Sequence, residues 1–172
     1  DQFIHDLVML ARPASQQDPP SPVDVHAAIR RACMLCEVPL EEHHAALERA
    51  LEAPAPRVLG VESQLVQVFV NLLTNAAAAM PERGGTVRIH TRQDAPARQL
   101  VCLIEDDGQG MDPATLERAF EPFYTTRKSA GGSGLGLSLV RVILERHGGS
   151  VQARSQPSQG TTFELRLPLH SP

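Results

Sequence analysis

SQLVQVFVNLLTNAAAAM, residues 63–80, is the stretch on which the fold of this chain turns. Leu65, Val68, Phe69, Leu72, Leu73, Ala76 and Met80 recur at helical spacing, so the segment reads as an amphipathic helix laid on a core. Opposite that stripe, Gln67, Asn71 and Asn75 follow one another at four-residue steps and share a polar ridge. Taken alone, two asparagines at this spacing read as a solvated helix face, since asparagine is disfavoured within helices but common enough there.

Working outward, ERGG at 82–85 is a turn, and TVRIHTR (86–92) and QLVCLIE (99–105) are two strand-like runs that predict an antiparallel pair. A region punctuated by glycine runs from 106 to 136, then residues 137–147 form a helix stopped by Gly148 and Gly149. SVQARS (150–155) and TTFELRL (161–167) predict a second hairpin. Upstream, Asp24 is the N-cap expected for a helix reaching about Glu37, with Ala28, Ile29, Ala32, Cys33 and Cys36 on its face and Pro39 closing it. Residues 45–59 stay open: AALERALE has helix propensity, yet Leu47 and Leu51 also fit strand spacing. Residues 1–12 carry an apolar stripe, Phe3, Ile4, Leu7, Val8, Leu10 and Ala11, ended by Pro13, and read as the tail of a longer helix; 13–22 read as a Pro-rich linker. The expectation is an α+β domain over 23–169, a two-layer sandwich of a mixed, mainly antiparallel sheet of about five strands on about three helices.

With 172 residues, 42% of them apolar, the chain can bury a core without disulfides or a structural metal. A net charge of −4 removes the broad basic face that nucleic-acid binding requires. No apolar run is long enough to cross a bilayer, and three cysteines cannot all pair within one chain, so a soluble protein of a reducing cytoplasm is expected. Lys128 is the single lysine among 16 Lys and Arg residues.

Three further motifs carry chemistry. An apolar strand ends in Asp106, followed by Asp107, Gly108, Gln109, Gly110 and Met111, a D-x-G-x-G pattern. An ionised carboxylate at the end of a buried strand only accepts hydrogen bonds and must find donors; the exocyclic amine of adenine is one, and the glycines let a flat ligand approach the backbone. GGSGLGLS places Gly132, Gly134 and Gly136 just before a helix, where successive N–H groups make an anion site; it is neither a GxGxxG nor a Walker loop. Between them FEPFYTTRKS sets Phe120, Phe123 and Tyr124 beside Arg127 and Lys128, the composition of a closing lid. Singly, the first reads equally as a plain turn and the second as a flexible loop.

In order, NLLTNA, DDGQGM, FEPFYTTR and GSGLGL resemble the asparagine, first glycine, phenylalanine and second glycine boxes of the catalytic, ATP-binding domain of bacterial two-component sensor histidine kinases, in their nitrogen-regulatory and transport-sensing branch. The fold is that shared with gyrase and chaperone ATPases. The resemblance covers residues 23–169 and implies a role for each matching residue. Asn75 would hold Mg2+ through its side-chain oxygen, Asn71 would lie near the phosphates, and Asp106 would receive the adenine amine. Gly108, Gly110 and Met111 would border the base, with Thr161 beside the same pocket. Gly132, Ser133, Gly134, Leu135 and Gly136 would shape the lid against the triphosphate, and Arg127 and Lys128 would supply its positive charge. Implied partners are the protein's own dimerisation domain, which carries the acceptor histidine, and the receiver domain of a response regulator. The full-length protein would be a homodimer, with or without a membrane anchor, and the fragment a monomer without nucleic-acid or membrane contacts.

Where ATPase relatives carry a water-activating glutamate, this chain has Asn71, an amide without useful basicity, which favours transfer over hydrolysis. Two departures from the family pattern stand out. Ala78 and Ala79 replace a basic and an aromatic residue, shifting the cationic role to the lid, and Val61 replaces the usual helix-opening aspartate, leaving the cap to Glu62 or Ser63. An ATP-dependent interaction module without catalysis and a hydrolysing ATPase remain the alternatives. Cys33 and Cys36 form a lone C-x-x-C on an apolar face and read as packing residues. His43 and His44 receive no role, and His5 lacks the downstream Asn or Pro of an acceptor signature.

Overall fold

The computed structural model describes residues 19–127 and 132–170. In chain order the elements are β1 (Ser21–Asp24), α1 (Val25–Leu35), α2 (Glu37–Glu42), β2 (Ala45–Leu51), β3 (Arg57–Gly60), α3 (Glu62–Ala78), β4 (Gly85–Asp94), β5 (Gln99–Asp106), α4 (Pro113–Arg118), α5 (Gly136–Arg146), β6 (Ser150–Ser155) and β7 (Thr161–Pro168). Five strands form one sheet in the order β2-β4-β5-β7-β6, and β1 and β3 form a separate two-stranded ribbon. Within the large sheet only β2–β4 is parallel.

Alternation along β4, β5 and β7 builds the core. Val87, Ile89, Leu100, Cys102, Ile104, Phe163, Leu165 and Leu167 point to one side and are buried, as period-two geometry requires. Against them lie the three long helices, α1 through Ile29, α3 through Leu65, Phe69, Leu72 and Leu73, and α5 through Leu139, Ile143 and Leu144. This is the expected two-layer architecture, joined by two six-residue helices and a small ribbon that the sequence patterns did not indicate.

Several boundaries differ, each for a local reason. Ser21 and Pro22, assigned to the linker, pair with Gly60 and Leu59 in the ribbon, so the folded unit begins earlier than residue 23. The Asp24 cap is as expected, its Oδ1 accepting from the N–H groups of His26 (2.8 Å) and Ala27 (3.2 Å). Pro39 does not close that helix: α1 ends at Leu35, and Pro39 sits in the first turn of α2, where a missing N–H costs nothing. Residues 45–51 are a strand. Register sets Glu48 opposite Arg88, and the two make a 3.1 Å ion pair at the sheet edge, while Leu47 and Leu51 pack on the core. Tertiary pairing thus overrides helix propensity. Within the glycine-punctuated region α4 starts at Pro113, capped by Asp112 Oδ1 accepting from Thr115 N–H at 2.7 Å. The stripe of residues 1–12, residues 13–18 of the linker, and Lys128 lie outside the described residues.

Neither Glu62 nor Ser63 caps α3; the capping position is Val61, which has no side chain for the task. His147, at the far end of α5, instead accepts from the backbone N–H of that capping residue. Its Nδ1 lies 2.7 Å from the Ile143 carbonyl and its Nε2 3.1 Å from the Val61 nitrogen. A carbonyl only accepts, so Nδ1 carries the proton and Nε2 receives the Val61 N–H. The ring lies on Gly60, where a Cβ would collide with it.

Candidate functional site

Sheet register assembles the first half of the site. Asp106, last in β5, stands opposite Thr161, first in β7, and both point to the helix side. Both are buried. Asp106 Oδ1 accepts from Gly108 N–H at 2.9 Å, and among the described residues Asp106 makes no ion pair. Burial holds its carboxyl above the usual carboxylate range; the backbone N–H groups of Gly108 and Thr161 oppose this, Asp107 reinforces it, and the Arg127 charge opposes it. A buried carboxylate so weakly compensated favours one more donor.

The loop beyond β5 is pinned on both sides. Gln109 N–H donates to the Ala79 carbonyl at the end of α3 (2.8 Å), and Ser158 N–H donates to the Gln109 carbonyl (2.8 Å). Gly108 has no room for a side chain: a Cβ there would stand 2.6 Å from the Ala79 oxygen and 2.8 Å from Asp106 Oδ1. Gly110 has φ +66°, and its Cβ would strike the Gln156 carbonyl. Met111 N–H donates to Ser155 Oγ (2.8 Å), and Ser155 Oγ–H donates to the Gly160 carbonyl (2.8 Å). Having spent its proton, Ser155 accepts from Thr161 Oγ1 at 3.0 Å, so the Thr161 hydroxyl retains acceptor capacity. Ser155 was not among the residues singled out in the sequence; nothing in a strand-end serine marks it before pairing brings it to Met111.

Helix α3 provides the second half. Asn71 is buried and Asn75 half-buried, so the ridge is not a solvated face. Gln67 Nε2 donates to Asn71 Oδ1 (2.7 Å), and Asn71 Nδ2 donates to the carbonyl of Gly136, the first residue of α5 (3.2 Å). The Asn75 side-chain amide has no hydrogen-bond partner among the described residues. Arg127 reaches the same place, its guanidinium donating to the Asn75 backbone carbonyl at 3.4 Å. Burial lowers the Arg127 pKa while Asp106 raises it, so the lid arginine and the strand-end carboxylate share one electrostatic neighbourhood.

The lid is held at both limbs. Phe120 packs edge-on against Phe163, ring centroids 6.3 Å apart, and Arg118 covers the Tyr124 ring at 4.2 Å. Phe123, grouped in the sequence with Phe120 and Tyr124, does not pack with them but stands exposed with φ +65°. Gly134 (φ +70°) lies where the limbs cross: its carbonyl accepts from Phe123 N–H at 2.9 Å, and a Cβ would stand 2.5 Å from the Phe123 carbonyl carbon. Gly132 N–H returns to the Arg127 carbonyl (3.0 Å). Ser133 Oγ accepts from Leu135 N–H (3.2 Å), and the Leu135 side chain is fully buried, so these two residues build the start of α5.

Among the described residues no group of three His, Cys, Asp or Glu could hold a metal. A divalent cation at Asn75 would therefore depend on ligands from outside the chain, such as water, as Mg2+ commonly does. Burial raises the thiol pKa of Cys33, and pushes those of Cys36 and Cys102 to about 11 and about 12, which fits packing rather than thiolate chemistry. The concavity of about 190 Å³ lined by Leu103, Glu105, Gln152, Arg154, Thr162 and Glu164 contains none of the site residues; its strand residues belong to the opposite sheet face.

Residues 60–171 match the family described as "Histidine kinase-, DNA gyrase B-, and HSP90-like ATPase". The two-component sensor PprA of Pseudomonas aeruginosa is 35% identical over 178 residues, a match covering 100% of this chain and 19% of that protein. Full-length ShkA in complex with AMPPNP superposes with a TM-score of 0.84 at 26% identity, covering 99% of this chain and 36% of that one. The mycobacterial sensor histidine kinase MprB gives 0.72 at 31% identity, covering 87% and 97%. The chain spans 17% to 26% of the length of the first curated relatives it matches.

Proposed function

The chain belongs to the histidine kinase-, DNA gyrase B- and HSP90-like ATPase family, and on that premise we propose that it is the ATP-binding catalytic domain of a two-component sensor histidine kinase. The observation that carries the reading is Asp106, a buried carboxylate with two backbone donors and no ion pair among the described residues, at the mouth of a loop where Gly108 leaves no space for a Cβ. An adenine amine supplies the donor that this carboxylate lacks, and Thr161 Oγ1, Gly110 and Met111 border the base.

The remaining residues serve the phosphates. Asn71 donates through Nδ2, the N–H groups opening α5 add partial positive charge, and Arg127, with Lys128 next in sequence, supplies full charge. Gly132, Ser133, Gly134 and Gly136 let the lid follow the phosphate chain, and Leu135 anchors it. Asn75 offers its free side-chain oxygen to Mg2+, which when bound offsets phosphate charge. With no basic group on the ridge to deprotonate water, the site positions a γ-phosphate for an acceptor instead of hydrolysing it.

In this reading residues 1–12 end a dimerisation helix, 13–20 form the linker, and the rest is the catalytic domain. The acceptor histidine belongs to the protein's own dimerisation domain in a homodimer, and the phosphoryl group passes on to the receiver aspartate of a response regulator. No helix among the described residues is long and apolar enough to cross a membrane. Calorimetry of the chain with a non-hydrolysable ATP analogue and Mg2+, followed by addition of the upstream dimerisation helices with labelled ATP, tests this. Heat of binding and label on histidine are expected. Binding without label would replace the kinase by an ATP-ordered interaction module, steady phosphate release would point to an ATPase, and no heat would remove the nucleotide site.

A further inference from the structure

The amide chain on α3 has a defined polarity. The Gly136 carbonyl can only accept, so the Asn71 amide must turn its nitrogen toward α5 and its oxygen toward Gln67. Gln67 meets that oxygen with Nε2 at 2.7 Å, the shorter of the two contacts. Both donors therefore run in one direction, from α3 toward the hinge where the lid becomes α5. The two residues are also neighbours in space: a Cβ on Gly136 would lie 3.9 Å from Asn71 Cγ, at van der Waals distance. Asn71 has one N–H left to give, and its oxygen already accepts from Gln67, so the amide presents a donor suited to an anion. Asn75, one turn along, has no such partner among the described residues and keeps its oxygen free.

We infer that Gln67 is a positioning residue for phosphate binding: by donating to Asn71 Oδ1 it fixes the Asn71 amide as a donor and ties α3 to the lid hinge at Gly136. This rests on the reading of Asn71 as a phosphate-side group. Gln67 touches neither base nor phosphate in this role; it acts through Asn71, and without it the amide can rotate and lose both its orientation and its hold on the hinge.

Calorimetry on the 172-residue chain tests this, with the ATP analogue plus Mg2+ and, separately, adenosine. Gln67→Met keeps shape and helix propensity but removes the donor. It is expected to leave adenosine affinity unchanged, which also reports folding, and to weaken ATP-analogue binding roughly three- to tenfold, the weight of one neutral hydrogen bond. In an Asn71→Ala background the same substitution should have no further effect. Gln67→Leu should repeat the pattern, so that a folding defect peculiar to one variant does not decide the matter. An unchanged ratio of ATP-analogue to adenosine affinity, or a loss that persists undiminished without Asn71, would overturn the role of Gln67 while the nucleotide site stands. A parent chain that binds neither ligand would overturn both.

Discussion

Replacing Asp106 by asparagine alters binding and stability by the same physical cause, and the two can be measured separately. The carboxylate lies inside the domain, 8% exposed, with an N–H bond from Gly108 at 2.9 Å. For binding, the asparagine of the Asp106→Asn variant can still accept from an amine but lacks the charge and can turn its own NH2 toward the ligand. Losing a hydrogen bond to a charged group is worth about 1.5–3 kcal/mol, roughly a ten- to hundredfold weaker Kd for adenosine. For stability the sign follows from linkage. Burial raises the Asp106 pKa above its ordinary value of 3.8, so across the interval just above that value the native state binds more protons than the unfolded state. Its contribution to stability is then full at acid pH and falls as pH rises through the interval. The variant lacks this component, so its stability minus that of the parent must increase with pH there. Urea melts from about pH 3.5 to 7, with adenosine titrations at about pH 7, check both parts. A flat or falling stability difference together with unchanged adenosine affinity would refute the assignment.

Three further outcomes are expected. His147→Ala leaves the buried Val61 N–H without its acceptor and should cost about 1–3 kcal/mol. Because burial lowers the His147 pKa below 6.5, parent stability should fall as pH drops through 6.5, and the variant should show a shallower fall in melts at about pH 7.5 and about 5.5. His26, whose pKa burial also lowers, contributes to the slope that remains. Asn75→Ala should abolish the Mg2+ dependence of ATP-analogue binding while sparing adenosine, read by titrations with and without the metal; a normal Mg2+ response would count against the ligand role. Gly160→Ala puts a Cβ at φ +80° against the Asp106 carbonyl, so about 2 kcal/mol or more should be lost and adenosine binding weakened; a wild-type melting temperature would show that the turn adapts.

The long amphipathic helix, both hairpins and the order of the four motifs were legible in the sequence, because periodicity and glycine placement are local properties. Asp106 and Gly108 stand out by their spacing after an apolar strand and Thr161 by family resemblance, and register does set Asp106 opposite Thr161. Less legible were features whose cause lies far along the chain. The acceptor for the N–H of Val61, at the capping position of α3, comes from a histidine 86 residues away, and Ser155 meets Met111 across 44. Phe123 belonged by composition to the packed aromatics, yet the crossing of the lid limbs at Gly134 turns it outward.

Sequence by itself determined which residue types stand at which spacing, hence the layer architecture and the chemistry available: a carboxylate after an apolar strand, two amides one turn apart, glycines before a helix. Tertiary structure decided what local energies leave degenerate. Residues 45–51 satisfy helix and strand alike until β4 offers a parallel edge, and an asparagine amide points either way until the Gly136 carbonyl and the Gln67 nitrogen choose for it. In both cases the deciding partner is a hydrogen-bonding group brought near only when the chain has folded.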